Sequence, residues 1–147
     1  MRHMWRNKLR RLCRLLIVRA QSMETVVDLY NVARNRFPEI TEAADTIHKG
    51  TFGEPSPEFS YSWFENLANA LNKDMNKGVS PSKHMKLFSF MNQALFTCGP
   101  EIKNCIDVAF VENLFWQVPS EKAEQYWAKL PPALKELYIG FHGRAPL

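Results

Sequence analysis

Cysteines are few in this sequence, and no pairing pattern links them. Cys13, Cys98 and Cys105 show no CxxC spacing and have no histidine partner at zinc-finger distance. Neither a structural metal site nor a disulfide framework is therefore indicated. Cys98 and Cys105 stand among apolar neighbours, where a thiol behaves as a small core side chain in a reducing compartment. We predict that both thiols are buried and reduced in a cytoplasmic protein.

Motifs that carry catalytic or cofactor chemistry are also missing. The chain contains no glycine-rich nucleotide loop, no zinc-protease helix, no nucleophile elbow and no calcium-binding loop. Its histidines lie far apart, and we interpret His48, His84 and His142 as surface or capping residues. The sequence therefore predicts a protein that is not an enzyme and that uses no metal and no cofactor. An enzyme of unrecognised type stays open as an alternative, because a fold can gather distant residues.

Long apolar runs are absent from the N-terminal part of the chain. In residues 1–22 the apolar stretch covers only residues 15–18. A signal peptide needs an apolar region of ~7–15 residues and a membrane span needs ~20. No membrane-spanning segment is therefore expected.

Acidic residues are absent from residues 1–22, whereas this segment contains seven Lys or Arg residues. The rest of the chain has twelve basic and fifteen acidic side chains, a balance of −3, so the total of +4 comes from the N-terminal segment. A nucleic-acid-binding domain needs Lys and Arg gathered on its folded surface. The mildly acidic remainder of the chain does not meet this requirement. Because the two parts differ in the sign of their charge, we divide the chain into a basic N-terminal extension, residues 1–22, and a single helical domain, residues 23–147.

Three interpretations of the basic extension stay open. In the first, translation begins at Met23 and residues 1–22 lie upstream of the biological start. The helical pattern that opens at Met23 favours this interpretation. The extension is a basic arm if it contacts nucleic acid or a membrane surface. It is a targeting segment if its Arg-rich, acid-free composition directs import, as in mitochondrial presequences.

Helix breakers cut the domain into helix-length pieces, and no piece shows the strict alternation of a strand. The pattern predicts an all-α fold, an irregular bundle of about six to seven helices. The predicted helices cover residues 23–36, 39–49, 62–76, 81–98, 100–117, 120–129 and 132–139. We expect the helix at residues 100–117 to lie at the centre of the bundle, because it is apolar on every side.

Polar residues interrupt this predicted central helix. Asp107, Glu112 and Asn113 stand among apolar neighbours, and a buried carboxylate is costly unless it is paired. We interpret them as partners of neighbouring helix ends or as residues at the bundle edge. The alternative is a polar pocket that combines Glu112 with His84 or Glu101.

Acidic and aromatic residues concentrate in the predicted loop at residues 50–61 and just beyond it. Aromatic side chains are enriched at protein interfaces, and an acidic stripe on the preceding helix adjoins the loop. A helix then begins with a predicted capping box of Ser62 and Glu65. The candidate partner-binding residues are Glu39, Glu42, Asp45, Phe52, Glu54, Glu58, Phe59, Tyr61 and Trp63. A bundle end plugged by aromatics, with solvated carboxylates, is the alternative interpretation.

Two segments of the sequence resemble a known group of proteins. They are RFPEI at residues 36–40 and IDVAFVENL at residues 106–114. With the helical layout they resemble small uncharacterised bacterial α-helical proteins, some of which look like immunity proteins of contact-dependent growth inhibition and related toxin systems. The resemblance implies a cytosolic antidote that binds and blocks a cognate toxin, often a basic nuclease. The matching positions are core positions, so the resemblance implies no particular binding residues.

These observations lead to one functional hypothesis and one alternative from another class. The hypothesis is an immunity protein that blocks a basic toxin domain, because opposite charges speed the capture of such a partner. The alternative is a nucleic-acid-binding or regulatory protein that acts through the arginine-rich residues 1–22.

Overall fold

Helices account for all the regular structure in the described part of the chain, and the all-α prediction is confirmed. The computed structural model describes residues 23–147, so the basic extension lies outside the described residues. Seven α-helices occur there, with no strand: α1 Val26–Arg36, α2 Pro38–Phe52, α3 Ser60–Asn76, α4 Met85–Thr97, α5 Pro100–Cys105, α6 Ser120–Lys129 and α7 Pro132–His142. Shorter turns join them at Pro57–Phe59, Pro81–His84, Ile106–Phe110 and Val111–Asn113.

A capping box begins α1. The Asp28 amide donates to Thr25 Oγ1 at 3.2 Å, and the Asp28 carboxylate accepts from the amides of Thr25 and Glu24, each at 3.0 Å. The backbone hydrogen bond from Glu24 is the main reason why the pKa of Asp28 is lowered. The helix therefore begins at Val26, three residues later than predicted, and it ends before Pro38 as expected.

The connection between α2 and α3 is shorter than the predicted loop at residues 50–61. Gly50 does not end α2, because a helical glycine costs only about 1 kcal/mol and the next turn brings the Phe52 ring against the His48 ring, with 5.2 Å between the ring centroids. The helix ends instead at Phe52, and Gly53 caps it with a φ of 87°, which suits a residue without a Cβ. Since α3 begins at Ser60, Ser62 lies inside the helix and the predicted capping box is wrong.

The central helix of the bundle is α3, not the segment at residues 100–117. It packs against α1, α2, α6 and the turns that follow α5. Its fully buried side chains include Trp63, Phe64, Leu67, Leu71 and Met75. Two polar residues of this helix, Asn66 and Asn72, are buried as well.

Residues 100–117 do not form one α-helix. The chain leaves α-helical geometry after Cys105, continues as a π-helical turn at Ile106–Phe110 and a 3-10 turn at Val111–Asn113, and then becomes irregular. Each change of winding rotates the side chains that follow. Phe110 and Val111, on either side of the change from π-helical to 3-10 winding, are both fully buried.

Asn72 of α3 holds the end of this segment. Its Nδ2 donates to the Asn113 carbonyl at 2.8 Å, and its Oδ1 accepts from the Phe115 amide at 2.7 Å. Phe115 and Gln117 then take positive φ values of 66° and 54°. The backbone turns outward here, so Trp116, predicted to face inward, is 65% exposed.

Both cysteines of the domain lie in the core, as predicted. Cys98 and Cys105 are buried and form no disulfide. Burial, with a smaller contribution from the Glu101 charge, raises the pKa of Cys105 to about 12. Cys13 lies outside the described residues. Among residues 23–147, no helix combines the length and the apolar character that a membrane crossing requires.

Candidate partner-binding cleft

Part of the predicted binding segment lines a surface cleft of about 350 Å³. The cleft lies where the start of α1, the turn before α3 and the first turn of α5 meet. We call it the acidic cleft and define it by its lining residues, Val26, Val27, Pro57, Glu58, Phe59, Ser60, Tyr61, Ser62 and Glu101. The predicted residues Glu58, Phe59 and Tyr61 are thus brought together on one surface.

A tight turn presents the aromatic residues of the acidic cleft. The Phe59 amide donates to the Ser56 carbonyl at 3.0 Å, and the Ser60 hydroxyl donates to the Pro57 carbonyl. These bonds close a 3-10 turn that runs directly into α3, so the orientation of the rings is fixed by backbone rather than by a loose loop. Phe59 is 50% exposed and Tyr61 is 39% exposed.

A side chain of α5 anchors Tyr61. Asn104 Nδ2 donates to the Tyr61 hydroxyl at 3.0 Å. This bond restrains a side chain that is still partly exposed, which reduces the side-chain entropy that binding would cost. Val27, 42% exposed, extends the apolar surface beside it.

The charge of the acidic cleft is negative. Glu58 and Glu101 line it, and both are exposed. Neither carboxylate forms an ion pair with another residue of the described domain. Among residues 23–147, no Lys, Arg or His lines the cleft. The cleft thus combines exposed aromatic rings with carboxylates that lack a described counter-ion.

The predicted acidic stripe of α2 has a different place in the structure. Glu39 pairs with Lys83 at 2.8 Å, and this hydrogen bond is the main reason why its pKa is lowered. Asp45 pairs with Arg34 and accepts a hydrogen bond from the Trp63 indole at 2.8 Å. Glu42 is exposed. None of these three acids lines the acidic cleft.

The remaining predicted residues are split between surface and core. Trp63 is fully buried, in edge-to-face contact with Tyr30 at 4.9 Å, so it supports the fold and presents no surface to a partner. Phe52 is 50% exposed, and Glu54 lies 3.8 Å from the Lys49 ammonium. Both are near the end of α2 and outside the lining of the acidic cleft.

Two histidines lie in the core, which corrects the expectation of surface positions. His84 is 3% exposed, and its Nε2 lies 2.8 Å from the Asp74 carboxylate. His48 is fully buried, with Nδ1 3.2 Å from the Asn66 amide. Helical position alone suggested solvent, but α3 supplies a polar partner to each ring. His142 is exposed at the end of α7 and bonds the Glu112 carbonyl.

The alternative pocket of Glu112 with His84 or Glu101 does not form. His84 bonds Asp74, Glu101 lines the acidic cleft, and Glu112 lies near Asp107 and His142. Desolvation raises the pKa of both Asp107 and Glu112, with the Asp107 charge as a further cause for Glu112. Residues 23–147 contain no group of three or more potential ligands that could hold a metal ion.

Sequence reasoning missed the contributions of α1 and α5 to the acidic cleft. Val27 and Glu101 are distant in sequence from the predicted segment and join it only through the packing of α1 against α5. Asn104 was likewise not predicted to orient Tyr61. No local pattern indicates these contacts, because exposed residues in a first helical turn occur in most helices.

A second, larger groove of about 630 Å³ lies between α4, α5 and α7. It exposes Phe96, which is 69% accessible, beside Asp107, Lys103 and Glu136. Its lining carries both signs of charge and includes no predicted binding residue. This groove therefore serves below as a reference surface for the acidic cleft.

Comparison with known proteins gives a family without an assigned activity. The chain matches no curated protein and no solved structure. The family model of a domain of unknown function, DUF7674, matches residues 30–143. The match covers α2 to α7 and most of α1, together with Glu58, Phe59, Tyr61 and Glu101 of the acidic cleft. Because it extends over most of the sequence, the chain belongs to the DUF7674 family.

Proposed function

We propose that this domain is a protein-binding module that captures a basic protein through the acidic cleft. The observation that carries the proposal is the pair of half-exposed rings, Phe59 and Tyr61, beside Glu58 and Glu101. Large aromatic side chains are enriched at protein interfaces, and Tyr is enriched among binding hot spots. A basic, partly apolar partner surface would complement both features.

The specific form that we propose is an immunity protein that blocks a cognate bacterial toxin, with a basic nuclease as the toxin class. The resemblance of residues 36–40 and 106–114 to such proteins supports this form. The acidic balance of the domain supports it as well, since a basic nuclease needs positive charge to hold nucleic acid. Long-range attraction would speed capture before the toxin acts.

The experiment is capture followed by protection. The full chain is immobilised and exposed to a lysate of the native host, in parallel with a Glu58→Lys, Tyr61→Ala variant, and the bound proteins are identified by mass spectrometry. A basic protein retained only by the wild-type chain is then co-expressed with each version. We expect the wild-type chain to restore growth and the variant to fail.

A matched variant controls for charge and for loss of an aromatic ring. Glu124→Lys, Phe96→Ala makes the same two kinds of change, on α6 and in the reference groove, and should protect like the wild type. Restored growth with the cleft variant, or retention of nucleic acid instead of a basic protein, would contradict the proposal. Circular dichroism of each variant establishes that its helices are intact.

A further inference from the structure

The basic extension joins the domain at the edge of the acidic cleft. Met23, the first described residue, packs against the core, and Val26 and Val27 already line the cleft. The extension is therefore attached three residues before Val26, which lines the same cleft as Phe59 and Tyr61. The reference groove lies elsewhere, between α4, α5 and α7.

Charge in the extension complements charge in the cleft. Residues 1–22 contain seven basic residues and no acidic one. Glu58 and Glu101 have no ion-pair partner among the described residues, and nearby Glu24 is also exposed. Among the described residues the lining includes no Lys, Arg or His, so no cation there competes with the extension for the two carboxylates.

Apolar residues alternate with the basic ones in the extension. Trp5, Leu9 and Leu12 stand beside arginines or lysines. An occupant of the acidic cleft must cover exposed aromatic surface and also approach carboxylates. The extension contains both kinds of side chain, in an interleaved order.

We propose that residues 1–22 occupy the acidic cleft of their own chain and compete with the protein partner for it. A short tether gives the extension an effective concentration on the order of millimolar at the cleft. Even weak attraction then fills the site, and an extension bound nine-tenths of the time lowers the apparent affinity for a partner about tenfold. The extension thereby restricts the cleft to partners that bind tightly enough to displace it.

Only this competition rests on the proposed function; occupancy of the cleft can be measured without any partner. The experiment uses the full chain with a nitroxide on Cys13. Because Cys98 and Cys105 are buried, labelling under native conditions is directed to Cys13 and is checked by mass spectrometry. Broadening of backbone amide resonances by the nitroxide is then recorded at low and at high salt.

The expected result is strong broadening at Phe59, Tyr61 and Glu101 in low salt, which is reduced in high salt because screening weakens the attraction. The Glu58→Gln, Glu101→Gln variant should lose at least half of that broadening. Its matched control, Glu121→Gln, Glu124→Gln, should keep it. Glu121 and Glu124 lie near the C-terminal end of α3, because the neighbouring Lys122 bonds the Asn76 carbonyl. Tyr61 lies at the other end of that helix.

Proximity of the tether alone would give a different pattern. Broadening confined to α1, or unchanged when the two cleft carboxylates are neutralised, would overturn the proposal. Broadening centred on Phe96 and the reference groove would overturn it as well. Each of these outcomes leaves the proposed function standing, because partner capture is tested by a separate experiment.

Discussion

Asn72 determines the path of the backbone after α5 through the two hydrogen bonds of one buried amide. Its donor meets the Asn113 carbonyl and its acceptor meets the Phe115 amide. This carbonyl and this amide have no helical hydrogen-bond partner, because the 3-10 turn ends here. Buried backbone groups without partners are costly. A polar residue in the middle of the central helix is thus explained by the segment that it holds.

Replacement of Asn72 should destabilise the domain strongly. Asn72→Ala leaves the Asn113 carbonyl and the Phe115 amide without a partner, and each buried orphan costs about 1–3 kcal/mol. We expect a loss of about 2–4 kcal/mol in the free energy of unfolding, measured by urea denaturation. Asn76→Ala is the control, since its hydrogen bond to Gln117 is long, at 3.4 Å, and exposed. Equal losses in the two variants would contradict this account.

Asp107 should make stability depend on pH. Desolvation raises its pKa, so the folded state favours the protonated form, and stability falls as pH rises through the raised pKa. Asp107→Asn should therefore increase stability at pH 7 and change it little below the unfolded pKa of about 3.9. Urea denaturation at pH 3 and pH 7 measures the difference.

Asp28 supplies the opposite control. Its pKa is lowered by backbone hydrogen bonds, so the charged form stabilises the folded state, and this contribution is lost as pH falls through the lowered pKa. Asp28→Asn should decrease stability at pH 7. If Asp107→Asn also lost stability at pH 7, burial of the Asp107 carboxylate would not be destabilising the domain.

At the level of elements, the helix ends set by proline could be predicted, and the winding of residues 100–117 could not. Pro38 ends the first helix, and α6 has the predicted bounds of residues 120 and 129. No sequence pattern distinguishes the π-helical and 3-10 turns after Cys105 from a continuing α-helix. The end of the 3-10 turn is held by Asn72 of α3, which is 41 and 43 residues away from its partners Asn113 and Phe115.

Gln117 offers a test of this irregular element. Its φ of 54° lies in the left-handed region, where a side chain costs roughly 1–2 kcal/mol. Glycine removes this cost but gains entropy in the unfolded chain, so Gln117→Gly should stabilise the domain by up to about 1 kcal/mol. Thermal unfolding measures the change.

A glycine in a regular helix gives the matched comparison. Gln125 is exposed within α6, so Gln125→Gly should destabilise the domain by about 1 kcal/mol. The two substitutions are chemically identical and should have opposite signs. Destabilisation by both would show that Gln117 does not adopt the left-handed conformation.

For the whole molecule, the sequence predicted the fold class and only part of the candidate site. Glu58, Phe59 and Tyr61 lie together because they are neighbours in one turn. Trp63 was assigned to the same surface, but α3 begins at Ser60, and the helical rotation from Tyr61 to Trp63 turns the indole into the core. The position of Glu101 could not be predicted, because it depends on how α5 packs against α1.

Binding kinetics with the captured basic protein test the central claim most directly, namely that the acidic cleft is the binding surface. Association and dissociation rates are measured at low and high salt for the wild type, Glu58→Lys with Glu101→Lys, and the control Glu121→Lys with Glu124→Lys. We predict that the cleft variant associates about tenfold more slowly at low salt and loses most of the salt dependence, while the control stays close to wild type. Tyr61→Ala should speed dissociation by a factor that corresponds to about 2 kcal/mol. Equal rates for the cleft variant and the wild type would contradict the account and place the interface elsewhere.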